Sequence, residues 1–424
     1  MTSGLFSDFM QENFKVSKKI LDLGNTALKN ISNEFEKIDY IAEYNQMKVL
    51  NAMQKNKLGQ MHFNFSTGYG YDDEGRDITE KIYADIFHAQ DALVRTQIVS
   101  GTHALSCALF GNLKYADELI YVTGEPYDTL KSVIGIKKTT CSLIEHGIKY
   151  KQVDLNQDGN FDFDAIKNSI SPNTKIIAIQ RSRGYSLRKS VCVAQIKKLI
   201  EFIKNIRNDI ICLVDNCYGE FVEEFEPSDF GADLTVGSLI KNPGGGLAKV
   251  GGYIVGKKEY VQNSAYHLTA PGIGKEVGPS LGQSSSLLQG LFFAPQTVSC
   301  AMKTAVFAAE VFKLLNFEVF PKTNDFRTDI VQAVNMKSKQ QLIKFCEGIQ
   351  KSSPVDSFVL PNPWPMPGYD CDIIMAAGTF VQGSSIEFTA DAPIKPPYTV
   401  FLQGSLSWLH SKNALLMALD WMNK

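Results

Sequence analysis

Neither sign of charge is in excess in this sequence. Across 424 residues, 43 lysines and arginines face 45 aspartates and glutamates, a formal net charge of −2. That balance supplies no bulk field to draw the chain to nucleic acid or to an anionic membrane surface. Long hydrophobic runs are missing as well: no window reaches the about 18 uninterrupted apolar residues that a membrane-crossing helix needs. The opening stretch MTSGLFSDFMQENFKVSKKI has no basic start followed by an apolar segment. It does not read as a secretory signal, and a cytoplasmic protein is expected. Cysteine pairs are missing too. Cys107, Cys141, Cys192, Cys212, Cys217, Cys300, Cys346 and Cys371 show no CxxC spacing, and no histidine stands beside them in a zinc-ligand pattern. Reduced, mostly buried thiols are expected, and the six scattered histidines form no metal set. Internal repeats, low-complexity runs and long linkers are likewise missing.

What is present is a folding composition, with 44% apolar and 21% charged residues. At this length a core can be buried without staples, and about two or three domains are admissible. Residues 1–59 carry apolar side chains at helical spacing, with Leu21, Leu28, Ile31 and Phe35 on one face and Ile38, Ile41 and Val49 prolonging it. This reads as a helical arm, one that could pack on a neighbouring subunit. The texture changes at FNFSTGYGYDDEGRD, a Gly-, Tyr- and Asp-rich loop. From there short apolar runs, DELIYVTG, KIIAIQ and DIICLVDN, alternate with helix-like stretches such as VAQIKKLIEFIKN. Alternation of this kind predicts a mostly parallel sheet with helices on both faces, an α/β fold. Ligands then collect at the carboxyl ends of the strands. A helix interrupted near Pro295 and a helix over Asp329 to Gln350 are expected further on.

Four places carry candidate chemistry. Asp215 ends an apolar strand in Val214-Asp215-Asn216, where it is either a group at the mouth of the sheet or a capping residue of the next loop. Lys241 follows the strand of Ser238-Leu239-Ile240 and precedes Asn242-Pro243-Gly244-Gly245-Gly246. Burial would lower its proton affinity and free its amine to form a Schiff base with an aldehyde, and glycines let backbone approach a ligand. A surface lysine in a flexible loop is the competing interpretation. Ser100-Gly101-Thr102-His103 opens a helix, whose N–H groups suit a phosphate, or else simply marks an N-cap. Tyr127, just beyond LIYV, stacks on a flat ring or is half-buried packing. Taken together, a phosphate turn, an aromatic ring, a carboxylate and a lysine are what pyridoxal 5'-phosphate requires.

On these residues the chain resembles the fold-type I pyridoxal phosphate enzymes, in the cystathionine lyase and methionine γ-lyase branch. Asp215 and Lys241 lie 26 positions apart, and Ser238-x-x-Lys241 matches. GYGYDDEGRD at 68–77, QRSRGY at 180–185, LTAPGIGKEVG at 268–278 and DAPIKPPYTVFLQG at 391–404 are similar to the aluminium-resistance, methionine γ-lyase-like proteins. The resemblance implies a three-layer fold with a large cofactor domain over 60–300 and a smaller C-terminal α+β domain over 301–424. It implies that Lys241 joins the cofactor, Asp215 meets the pyridine nitrogen and Tyr127 stacks on the ring, while Gly101, Thr102 and Ser238 bind the phosphate. Tyr71 and Arg76 are the nearest match to a Tyr-x-Arg pair that a neighbouring subunit contributes, which implies a homodimer or homotetramer with shared active sites.

Two departures stand out. Arg183 occupies the region where the lyases place an asparagine near the cofactor hydroxyl. For the arginine that clamps the substrate carboxylate, Lys395 is a candidate, with Arg181, Arg183 and Arg188 as rivals. The implied function is carbon–sulfur β- or γ-elimination on a sulfur-containing amino acid. A transferase or replacement enzyme on the same cofactor, and a non-catalytic cofactor-carrying stress protein, are the alternatives.

Overall fold

The computed structural model describes residues 2–366 and 369–423. The strands of its larger sheet are Asp91–Arg95 (β1), Glu118–Tyr121 (β2), Lys149–Gln152 (β3), Thr174–Gln180 (β4), Ile211–Asp215 (β5), Leu234–Ser238 (β6) and Gly252–Gly256 (β7). A smaller sheet is built from Glu318–Phe320 (β8), Gln332–Asn335 (β9), Ile373–Ala376 (β10), Thr389–Pro393 (β11) and Thr399–Gln403 (β12). The α-helices are Thr2–Phe14 (α1), Lys18–Asn30 (α2), Ser32–Lys55 (α3), Glu74–Ile86 (α4), Gly101–Asn112 (α5), Asp128–Ile134 (α6), Phe163–Ser169 (α7), Val193–Ile206 (α8), Lys258–Leu268 (α9), Ser284–Leu314 (α10), Lys339–Lys351 (α11) and Trp408–Met422 (α12).

The larger sheet has the order β1-β7-β6-β5-β4-β2-β3. Strands β3, β2, β4, β5 and β6 pair in parallel, and β7 runs antiparallel to both β6 and β1. Its central strands are near-continuous apolar runs because both faces are covered. Leu119, Ile176 and Leu213 point into one core with α5 and α9. Their neighbours Ile120, Ile177, Cys212 and Val214 point into a second core with α7 and α8. The period of two thus feeds two hydrophobic layers, and the three-layer α/β arrangement follows. The smaller sheet, β10-β11-β12-β9-β8, is antiparallel throughout.

Contacts divide the chain into two compact units. Glu43–Gly184 and Arg188–Pro295 form one, with the larger sheet; Met1–Ala42, Tyr185–Leu187 and Gln296–Lys424 form the other, with the smaller sheet. The divisions fall inside α3 and inside α10, whereas the sequence suggested 59 and 300. The start of the chain shares a core with its end: Ser17 N donates to Asp420 Oδ1 at 3.0 Å, Asn30 Nδ2 to Glu310 Oε1 at 2.8 Å, and the Phe35 ring meets Trp408 edge-on at 5.0 Å. Helical periodicity shows that α2 has an apolar face but not which element will cover it. Two local expectations also change. Helix α10 continues through Pro295, and 329–350 holds β9 before α11 because Gln332–Asn335 pairs with β12 and β8. Among the described residues no helix is long and apolar enough to cross a membrane.

Candidate active site

The larger unit brings most of the predicted residues to one end of its sheet. Strand β4 ends at Gln180, β5 at Asp215 and β6 at Ser238, and the register sets Asp215 beside Gln180 on one side and Val236 on the other. All three terminal side chains are buried. Helix α5 begins against them. Ser100 Oγ accepts from His103 N at 3.1 Å, which caps the helix. A Cβ on Gly101 would stand 3.3 Å from Ser238 Cβ and 3.4 Å from Cys217 Sγ, so a bare glycine is what lets the helix start approach β6. Thr102 Oγ1 lies 2.7 Å from Thr129 Oγ1, tying this start to α6. Tyr127 precedes α6, half-buried, with its N–H donated to Gln180 Oε1 at 2.9 Å and its ring beside Gly184.

Lys241 leaves β6 and sets its ammonium 3.9 Å from the centroid of the Tyr218 ring. Tyr218 belongs to the turn after β5 and has φ +72°, as Phe221 has φ +62°; such left-handed values at non-glycine residues mark a constrained segment. In the same turn Cys217 N donates to Asp215 Oδ1 at 3.1 Å. Burial raises the Asp215 carboxyl above its ordinary range, with Lys241 the leading opposing influence. Lys241 reverses the expectation drawn from burial. Burial alone would lower it, but Cys217, Tyr218, Asp215 and Glu220 outweigh burial and raise it. Burial also pushes the Cys217 thiol well up, which makes it a packing residue and not a nucleophile. Two of the glycines after Lys241 serve packing: a Cβ on Gly244 would overlap Leu239 O at 1.7 Å, and one on Gly245 would meet Gly290 O at 2.2 Å.

Other predicted residues have different surroundings. Arg181 is fully buried and donates to Glu223 Oε1 at 2.7 Å, Asn216 Oδ1 at 2.7 Å and Gly219 O at 2.9 Å, so it buttresses the turn and is no carboxylate clamp. Arg188 donates to the main-chain oxygens of Gln180 and Ser182. Arg183 is buried in the segment directly after β4. Arg76 is buried too, donating to Gly70 O at 2.6 Å and Asp77 Oδ1 at 2.8 Å, and so fastens the loop that carries Tyr71. Tyr71 itself is 63% exposed beside Tyr69. Neither Tyr71 nor Arg76 bonds to Lys241 or Asp215 among the described residues. Lys395 lies exposed at the turn between β11 and β12, its main-chain oxygen accepting from Tyr398 N at 2.8 Å. Gln180, Tyr218 and Glu220 escaped sequence reasoning. Their types are ordinary, and only the convergence of strand ends singles them out.

The model for the family described as methionine gamma-lyase matches residues 20–423. The chain belongs to the methionine gamma-lyase family. The YnbB protein of Bacillus subtilis (strain 168) is 50% identical to it over 393 residues, covering 92% of this chain and 93% of that protein. The crystal structure of a carbon-sulfur lyase involved in aluminum resistance from Clostridium novyi NT is 47% identical, with a TM-score of 0.94 over 98% of each chain. At 16% identity, the pyridoxal-5'-phosphate dependent protein YhfS from Escherichia coli has a TM-score of 0.60 over 89% of this family member and 96% of that chain. That likeness shows a shared fold.

Proposed function

We propose that the protein is a pyridoxal phosphate-dependent carbon–sulfur lyase acting on a small sulfur-containing amino acid. The observation that supports this best is the convergence of Lys241 and Asp215 at the ends of β6 and β5, in electrostatic reach of each other. The residues fit the cofactor. Asp215 is a buried carboxyl whose raised proton affinity calls for a cation, such as a protonated ring nitrogen. Gly101, Thr102 and Ser238 form a helix-start cradle suited to a phosphate. Tyr127 offers a half-buried ring, and Arg183 lies beyond the end of β4 for the remaining polar edge.

When bound, pyridoxal phosphate supplies an aldehyde for an amine and a ring that takes up the electron pair left by proton removal. Lys241 Nζ, once neutral, removes the proton from the substrate Cα as general base. Asp215 keeps the proton on the pyridine nitrogen. Tyr127 restrains the ring, and the enclosed strand ends exclude water. A thiol then departs from the substrate, leaving an α-keto acid and ammonia after hydrolysis. The exposed Tyr71 goes with a homo-oligomer in which a neighbouring copy completes the site.

The test is a Lys241→Ala variant. The cofactor-loaded protein is expected to show absorbance near the visible edge and to release keto acid from a sulfur amino acid. The variant is expected to lose the band and about 10²–10⁴-fold or more of the rate. An unchanged band in the variant, or no spectral response of the parent protein to any sulfur amino acid, would overturn the proposal.

A further inference from the structure

The turn beneath Lys241 holds a carboxyl group that the mechanism above does not use. Glu220 is fully buried. Its Oε1 accepts from Tyr253 Oη at 2.8 Å, while its buried Oε2 has no hydrogen-bond partner among the described residues. Strand β6 makes room for it. A Cβ on Gly237 would stand 2.6 Å from Glu220 Oε1 and 2.5 Å from Tyr253 Cε1, so residue 237 can carry no side chain while the carboxyl is there. The main chain of Glu220 holds the lysine's neighbour, with Asn242 Nδ2 donating to Glu220 O at 2.9 Å. Two residues earlier, Tyr218 supplies the ring beneath Lys241 Nζ. One short turn therefore holds the lysine segment from two sides. A buried carboxyl with an unmet oxygen is costly to keep and demands a reason.

We propose that Glu220 is a positioning residue for Lys241: its backbone seats the lysine turn, its carboxyl fills the space that Gly237 leaves on β6, and its ionisation holds the proton on Lys241 Nζ. The inference rests on Lys241 being the cofactor lysine. The titratable groups in electrostatic reach of Glu220 are Tyr83 on α4, Tyr253 on β7, Cys217 in its own turn, Glu226, Arg181 and Lys241. The cations among them are Arg181 and Lys241. Arg181 is committed to Glu223 at 2.7 Å and Glu226 at 3.5 Å, which leaves Lys241 as the cation that Glu220 governs. Burial pushes Glu220 up to about 8, so its charge changes in a range where the lysine must give up and regain its proton. Above that pH the carboxylate favours the protonated lysine nitrogen.

The experiment is a pH titration of the visible cofactor band in the holoenzyme, comparing the parent protein with Glu220→Gln and Tyr253→Phe. Gln keeps the shape and removes the charge. Phe removes the hydrogen bond and makes the carboxyl harder to ionise. The band's titration is expected to move to lower pH by about one unit in Glu220→Gln, and by less in Tyr253→Phe. The alkaline limb of the pH–rate profile should move the same way. A titration that coincides with the parent's in both variants, or in whichever one folds, would overturn this inference while leaving the function intact. A parent protein with no Lys241-dependent band would instead sink the function itself.

Discussion

Asp215 and Lys241 show how far a single residue's chemistry depends on its neighbours. Each sits at a strand end whose apolar run is legible in the sequence, which is why both could be picked out there. The direction of Lys241's proton affinity was not legible: burial pushes it down, and the acidic groups of a turn 21 to 24 positions earlier push it up. The same reciprocity gives a prediction. Asp215→Asn keeps the shape but cannot hold a proton on a ring nitrogen, so keto acid release should fall by at least about 100-fold while the visible band persists. Absorbance and keto acid measured on one sample check this, and a variant within tenfold of the parent would remove Asp215 from the mechanism. Lys395, also in a suggestive motif, sits exposed on the hairpin between β11 and β12.

At the scale of elements, the site is an encounter between a helix start, three strand ends and a turn. Gly101 decides how closely α5 can approach, with 3.3 Å left to Ser238 Cβ and 3.4 Å to Cys217 Sγ. Gly101→Val inserts branched carbons into that contact and should force the helix start away from Ser238. Dialysed Gly101→Val protein is then expected to retain less cofactor than the parent at equal concentration, read from the visible band; equal retention would mean that this contact does not shape the cradle. The helices and strands around the site were largely readable, because two-sided burial leaves continuous apolar runs and amphipathic helices leave a 3.6 period. Two of the three glycines after Lys241, Gly244 and Gly245, differ from expectation. Their composition suggested ligand approach, but the space they leave is filled by Leu239 O and Gly290 O.

For the whole molecule, the buried acids near Lys241 couple the fold to pH. Glu220 is raised in the folded protein from an ordinary 4.5 to about 8, and Asp215 is also raised. Between those limits the folded chain binds more protons than the unfolded one, so stability falls as pH rises. The contribution is fully present below about 4.5 and is lost as pH passes about 8. Replacing Glu220 by Gln removes its share. The difference in thermal midpoint between Glu220→Gln and the parent, both cofactor-free, should therefore shift in favour of the variant from pH 5 to pH 8. A difference independent of pH would contradict the buried, raised carboxyl. Bound cofactor should raise the midpoint of the parent by mass action.

Fold class, the alternation of strands and helices, and the strand-end positions of Asp215 and Lys241 could be read from the chain itself, because periodicity, turn chemistry and strand-end composition are local properties. The partner of the N-terminal helices, the commitment of Arg181 to Glu223, the surface setting of Lys395 and the burial of Glu220 within electrostatic reach of Lys241 were settled by tertiary structure. Each of these depends on which distant segments come into contact, and burial and charge act through space and not along the chain.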